Sequence, residues 1–158
     1  MNGYAGYVLR VNLKTHTSSK EKLDPVLAKQ FIGGRGFVDK VIFDEVPVGA
    51  DPFGPMNKVA IAPGPMSGIF MPAAGKVQFG ALSPATGMIG DSNMGGHFGP
   101  EIKYAGYDLL IFEDISDSPV VVVIDDDKVS FKDASQLWGK GSFEAEETLK
   151  KQLGDSFQ

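Results

Sequence analysis

The order in which strand-length and helix-length segments follow one another restricts this chain more than any other feature of it. "GYVLRVNL" (6–13) alternates, with Tyr7, Leu9, Val11 and Leu13 on one side, the period of a half-buried strand. "THTSSKEKL" follows as a turn and a return strand. Asp24 is placed to cap a helix with Pro25 at its first position, "VLAKQFI" continues it, and Gly33 and Gly34 can end it. "GFVDKVIFDEV" (36–46) carries apolar residues at helical spacing. After a loop rich in Pro and Gly comes "KVAIAPGPMSG" (58–68), a buried strand stopped by Pro63. Segments 75–83 and 87–93 read as strands joined by the turn "SPATG", and 97–105 carries a modest helix pattern. "YDLLIFED" (107–114), "SPVVVVIDDD" (118–127) and "KVSFKDA" (128–134) are strand-like, the last two pairing with each other. "SFEAEETLKKQL" (142–153) is a charged amphipathic helix with Ser142 as N-cap; half-polar, it calls for a partner surface, as in a piece of something longer. Strands and helices do not alternate as βαβ units. The expected fold is therefore α+β, a single domain over 1–158 with mixed, largely antiparallel sheets and a few short helices.

Composition removes several functions. The formal net charge is -5 and no basic cluster stands out, so nucleic-acid binding has little electrostatic support. The chain has no cysteine, which excludes disulfides, thiolate catalysis, Cys-ligated zinc and an iron–sulfur cluster held by this chain itself. The start alternates rather than forming an apolar leader, and no run approaches the roughly 20 apolar residues of a membrane-spanning helix. The expectation is a soluble cytoplasmic protein.

The chemistry is then to be sought among the glycines, of which there are 20, spread without a period. Three segments concentrate them: "GGRG" (33–36), "APGPMSG" (62–68) and "GDSNMGGHFG" (90–99). None has the GxGxxG or GxxxxGK[ST] pattern in its required context, so neither a dinucleotide fold nor a P-loop is indicated. "SNMGGHFGPEIK" nevertheless suits a phosphate, because glycines leave backbone N–H groups bare and a helix start follows. Asn93 offers an amide N–H and a carbonyl oxygen, fit for a hydrogen bond or for a hard cation such as Mg²⁺. The alternative is a glycine turn that only lets a strand pack on a helix. His16 and His97 lie far apart, which argues against a His-based metal site. With so little histidine and no GxSxG elbow, a serine triad is not indicated. "DDD" (125–127) reads as a solvated hairpin turn, "VVVVI" as core, Arg35 as an anion contact or a structural ion pair, and Lys76 by itself as solvent-facing.

Taken in order, "GYVLRVNL", "FIGGRGF" (31–37), "DPFGPMNKVAIAPGPMSG" (51–68), "GKVQFGALSPATG" (75–87), "SNMGGHFGPEIKYAGYD" (92–108) and "KDASQLWGKGSFEAEETL" (132–149) resemble the N-terminal domain of the aldehyde:ferredoxin oxidoreductase family. The resemblance covers essentially the whole chain. It implies a domain that forms the base for tungstopterin, a tungsten or molybdenum centre held by two pyranopterins. It also implies a Mg²⁺ ion between the pterin phosphates and a 4Fe–4S cluster held by parts of the protein outside this chain. Enzymes of the family oxidise aldehydes to carboxylic acids and pass the electrons to ferredoxin. The family's cofactor contacts map onto Lys76, Asn93, Gly95 and Gly96, with Asn93 at the Mg²⁺ and phosphate contact and Gly95 and Gly96 where backbone approaches the pterin. Lys76 departs from the arginine common at that position and lacks its planar fork.

The resemblance also implies that family members are several times longer, and that their later segments carry the cluster cysteines and the acid/base residues. No catalytic residue is therefore expected here. The partners expected are C-terminal domains of the same enzyme, ferredoxin and a second copy in a homodimer, with neither nucleic acid nor membrane. Two other readings stand beside this one: a stand-alone, non-catalytic pterin- or protein-binding module, and a subunit of an aromatic-ring CoA-thioester reductase.

Overall fold

The computed structural model describes residues 2–158. Its frame is a six-stranded sheet in the order β2-β1-β6-β3-β4-β5. The strands are β1 (Tyr7–Asn12), β2 (Thr17–Lys22), β3 (Lys58–Pro63), β4 (Val77–Leu82), β5 (Ile89–Met94) and β6 (Leu109–Glu113). Every neighbouring pair is antiparallel except β1 with β6, so the sheet is mixed and largely antiparallel, as expected. A second sheet is the hairpin β7 (Val120–Asp125) and β8 (Lys128–Asp133), turning at the acidic triplet with Asp126 at φ 51°.

Period-two alternation gives the large sheet two apolar faces, and each has its own cover. On one face Val8, Ala60, Ala62, Leu109 and Ile111 pack against α1 (Pro25–Phe31) and α2 (Arg35–Glu45) through Ala28, Phe37, Val38, Val41 and Ile42. On the other, Leu9, Val11, Ile61, Val77 and Leu110 meet Ile102 of α3 (Phe98–Tyr104) and the inner side of the β7–β8 hairpin through Val122, Ile124, Val129 and Phe131. The β7 run is less buried than a core strand: only Val123 is buried, and its other apolar residues are half-buried.

Local chemistry sets the ends. The Asp24 carboxylate accepts from the Val26 N–H, with Pro25 at the first helical position. The helix α4 (Ser142–Leu153) is capped by Gly141 rather than Ser142, which lies inside the first turn; no side chain caps it, and none of its residues is buried.

Candidate functional site

The three glycine-rich segments come together at one end of the sheet, beyond the end of β3, the start of β4 and the end of β5. The GGRG segment meets the β3–β4 loop through the Gly34 N–H, which donates to the Pro63 carbonyl at 3.1 Å. It leaves α1 through Ile32, held at φ 67° and ψ -56° while the Gly33 N–H bonds back to the Phe31 carbonyl at 2.7 Å. That is the geometry of a classic-hand γ-turn, costly for a β-branched residue. Tyr4 fixes it by donating its hydroxyl to the Ile32 carbonyl at 2.6 Å. Burial first, and then the Asp108 carboxylate, raise the Tyr4 pKa, so the phenol stays a neutral donor.

The β3–β4 loop delivers Lys76. Buried Ser67 receives the Gly64 N–H at 3.2 Å and donates to the Lys76 carbonyl at 3.1 Å. The following loop, 95–97, packs on the same strand end: a Cβ at Gly75 would stand 2.5 Å from the Gly96 carbonyl oxygen, so only glycine lets the two loops touch.

On this base Lys76 Nζ donates to Asn93 Oδ1 at 2.8 Å, both side chains being exposed. The pairing follows from register. Gln78 lies opposite Asn93 and Gly80 opposite Asp91 in the β4–β5 ladder, so Gln78, Asp91 and Asn93 share one face of the sheet. Two residues from Asn93, Asp91 accepts from Gln78 Nε2 and pairs with Arg35 Nη2 at 2.5 Å. Of the two readings open for Arg35, anion contact or ion pair, the structure shows the ion pair.

Gly95 and Gly96 line the loop beside this pair. Gly96 has φ 94°, a conformation that itself calls for glycine. Gly95 does not have positive φ, and an added Cβ would meet nothing within 4 Å. The chain's own packing gives no reason for glycine at 95. The N–H groups of Gly95, Gly96 and His97 have no acceptor among the described residues. Together these groups form an exposed face of one ammonium, one primary amide and bare backbone N–H groups, suited to an anionic, hydrogen-bonding ligand that comes close to the backbone. As to metals, no cluster of three or more His, Cys, Asp or Glu side chains able to hold an ion occurs among the described residues. Asn93 Oδ1 could ligate a hard cation once Lys76 turns away from it, while the Asp91 carboxylate on the same face is engaged by Arg35 and Gln78.

Neither Asp91 nor Gln78 drew notice in the sequence. The signal that finds them is the hairpin: once its turn is placed at "SPATG", equal counting outward from Leu82 and Ile89 sets Gln78 against Asn93.

The fold and this face define a small α+β domain with an exposed, hydrogen-bonding face at one sheet end. A family model described as "Aldehyde ferredoxin oxidoreductase, N-terminal domain" matches residues 8–158. The chain is 42% identical to the tungsten-containing aldehyde ferredoxin oxidoreductase of Thermococcus kodakarensis over 99% of its length, which is 26% of that protein. It is 30% identical to the aliphatic sulfonate oxidoreductase, WOR-like subunit, of Pyrococcus furiosus, over 100% of this chain and 26% of that one. Among solved structures, the active-site complex BamBC of benzoyl coenzyme A reductase, with 1,5-dienoyl-CoA, is 37% identical with a TM-score of 0.94, covering 98% of this chain and 24% of that one. The chain belongs to the aldehyde ferredoxin oxidoreductase family, as the resemblance in the sequence implied, and corresponds to its N-terminal domain. It spans about a quarter of the length of the relatives it matches.

Proposed function

We propose that this chain is the cofactor-binding N-terminal part of a tungsten or molybdenum bis-pterin oxidoreductase that oxidises aldehydes to carboxylic acids with ferredoxin as acceptor. The observation that carries the reading is Gly95: a glycine that nothing in the chain requires, on an exposed loop beside the Lys76–Asn93 pair, in a family whose relatives are named tungsten-containing. When bound, the metal–pterin group supplies the two-electron chemistry. The residues of this chain hold and orient it. Lys76 gives a cationic donor, the Asn93 amide a further N–H, and Gly95 and Gly96 let the ligand reach the backbone. Asn93 Oδ1 would serve as a ligand to a Mg²⁺ ion that neutralises phosphate charge, and Lys76 would then release that oxygen and stay as a cationic donor, since ammonium and metal repel each other at one oxygen. Lys76 makes a single-point contact where arginine could make two.

The proposal extends to the rest of the protein. A 4Fe–4S cluster belongs to further domains of the same enzyme, because this chain has no cysteine to hold one, and the family resemblance assigns the acid/base residues to those domains as well. Ferredoxin is the electron acceptor, a homodimer the assembly, and the cytoplasm the site of action. No helix among the described residues is long and apolar enough to cross a membrane. A second reading, a subunit reducing an aromatic ring on a CoA thioester, draws on the likeness to the benzoyl-CoA reductase complex; both readings use the same cradle.

The test is Asn93→Ala in the full-length protein, with pterin measured by fluorescence after oxidation and metal by elemental analysis. The expected result is a marked loss of both. Unchanged content removes Asn93 from the cofactor site. Turnover of aldehydes with ferredoxin, against reduction of an aryl-CoA thioester, separates the two substrate readings.

A further inference from the structure

We propose that Arg35 is a positioning residue for the cofactor face, acting through Asp91 on the edge strand that carries Asn93; the inference rests on the assignment of Lys76 and Asn93 to that face. Strand β5 is the last strand of the sheet and has a neighbour on one side only. Five of its six residues are exposed, so little packing holds it. An edge strand held by one ladder and no buried side chain moves easily. Asn93 nevertheless has to keep its amide in place for a ligand and for Lys76.

Three contacts compensate, and all fall on the α2 side of the hairpin. Gly80 of β4 lets α2 come so close that an added Cβ would stand 2.3 Å from Val38 Cγ1. That approach brings the first residue of α2, Arg35, across to Asp91, which its guanidinium meets at 2.5 Å. The same carboxylate oxygen of Asp91 accepts from Gln78 Nε2, and Gln78 is buried directly opposite Asn93 in the ladder. A chain of contacts thus runs from α2 through Arg35 and Asp91 to Gln78, and it grips β5 two residues before Asn93, on the face that Asn93 shares. The Arg35 side chain is 61% exposed, so its ion pair adds little to global stability. Its effect lies in restricting the strand.

The test uses the full-length protein with Arg35→Ala, Arg35→Lys and Asn93→Ala. The readouts are pterin retained during dialysis, hydrogen exchange of the 89–94 amides, and far-UV circular dichroism through thermal unfolding. For Arg35→Ala we expect an unchanged melting transition, faster exchange in β5 and roughly tenfold faster pterin loss, in line with other residues that orient a primary ligand. Arg35→Lys restores a charge partner to Asp91 and should recover most of the retention. Wild-type retention in Arg35→Ala beside clear loss in Asn93→Ala overturns the positioning role while leaving the cofactor face intact. Pterin loss that only accompanies a lowered melting transition in both Arg35 variants also overturns it, since the effect is then on the fold. Full retention in Asn93→Ala removes the cofactor face, and the positioning role with it.

Discussion

Gly75 and Gly95 stand on facing loops at the same sheet end, yet the reasons for glycine at each are opposite. At Gly75 the reason is internal: a methyl group would come within 2.5 Å of the Gly96 carbonyl oxygen, and backbone cannot swing away as a flexible side chain can. Gly75→Ala should lower stability by about 1–3 kcal/mol, the range for forced overpacking, when urea unfolding of the two proteins is compared. At Gly95 the chain leaves open space and an ordinary backbone conformation. Gly95→Ala should therefore stay within about 0.5 kcal/mol of the parent, as surface changes do. In the full-length protein the same change should lower pterin content, because the added methyl would occupy the ligand's approach to the backbone. A Gly95→Ala protein with full pterin content would mean that no ligand comes close to that loop.

Among elements, a polar network away from the site joins four strands to α2. Arg10 of β1 makes two hydrogen bonds to Glu45 at the end of α2, at 2.6 and 2.8 Å, and one to Glu21 of β2 at 3.1 Å. Lys58 of β3 pairs with Glu113 of β6 at 2.6 Å and with Glu45 at 3.4 Å. The hydrogen bonds from Arg10 lower the Glu45 pKa below the usual carboxylate value, outweighing the opposing effect of partial burial. The sign follows. The fold favours ionised Glu45, so this contribution is present above the unfolded pKa near 4.5 and fades as pH falls through the lower folded value. Glu45→Gln should cost about 1.5–3 kcal/mol at pH 7, the range for hydrogen bonds to charged groups, and should flatten the loss of stability below pH 4.5. Urea midpoints at pH 7, 4 and 3 would show this; equal acid slopes for the two proteins would contradict it. Such networks also mark the limit of legibility in the sequence. Local features were readable: the Asp24–Pro25 start of α1, the 83–87 turn and the β7–β8 hairpin each depend on neighbouring residues. The insertion of β6 between β1 and β3, parallel to one and antiparallel to the other, joins it to β1 residues about a hundred positions away and to β3 residues about fifty away, and leaves no local trace. Buried Asp108 is a case in point. Within a run that reads as strand, it instead accepts the Ala5 and Gly6 N–H groups at 3.1 and 2.6 Å and pairs with Lys103. At the candidate site, the resemblance named Lys76 and Asn93, which the structure brings into contact, while the Arg35–Asp91–Gln78 chain needed the strand register.

At the scale of the whole molecule, the loop that delivers Lys76 is also its most apolar exposed segment. Met66, Ile69, Phe70 and Met71 all stand out from the 64–75 stretch, and Phe70 is fully exposed. Tyr104 extends the patch, its hydroxyl donating to the Gly68 carbonyl at 2.7 Å. A second apolar region is the open groove of about 800 Å³ between α3, β6, β7 and α4, lined by Phe98, Leu110, Val121, Leu149 and Phe157. Contiguous apolar surface of this kind is rare on a soluble monomer and marks contact with another surface. The apolar loop and the Lys76–Asn93 face are adjacent, so whatever covers one lies near the other. Taken as a separate polypeptide, these 158 residues should therefore self-associate with rising concentration, and Phe70→Ser should weaken that association. Light scattering across a concentration series gives the answer. Growth in mean mass that falls on substitution of Phe70 identifies the loop as the adhesive surface. A constant monomer mass at high concentration would mean that the exposed apolar groups are too dispersed to act together, and that the loop serves Lys76 alone.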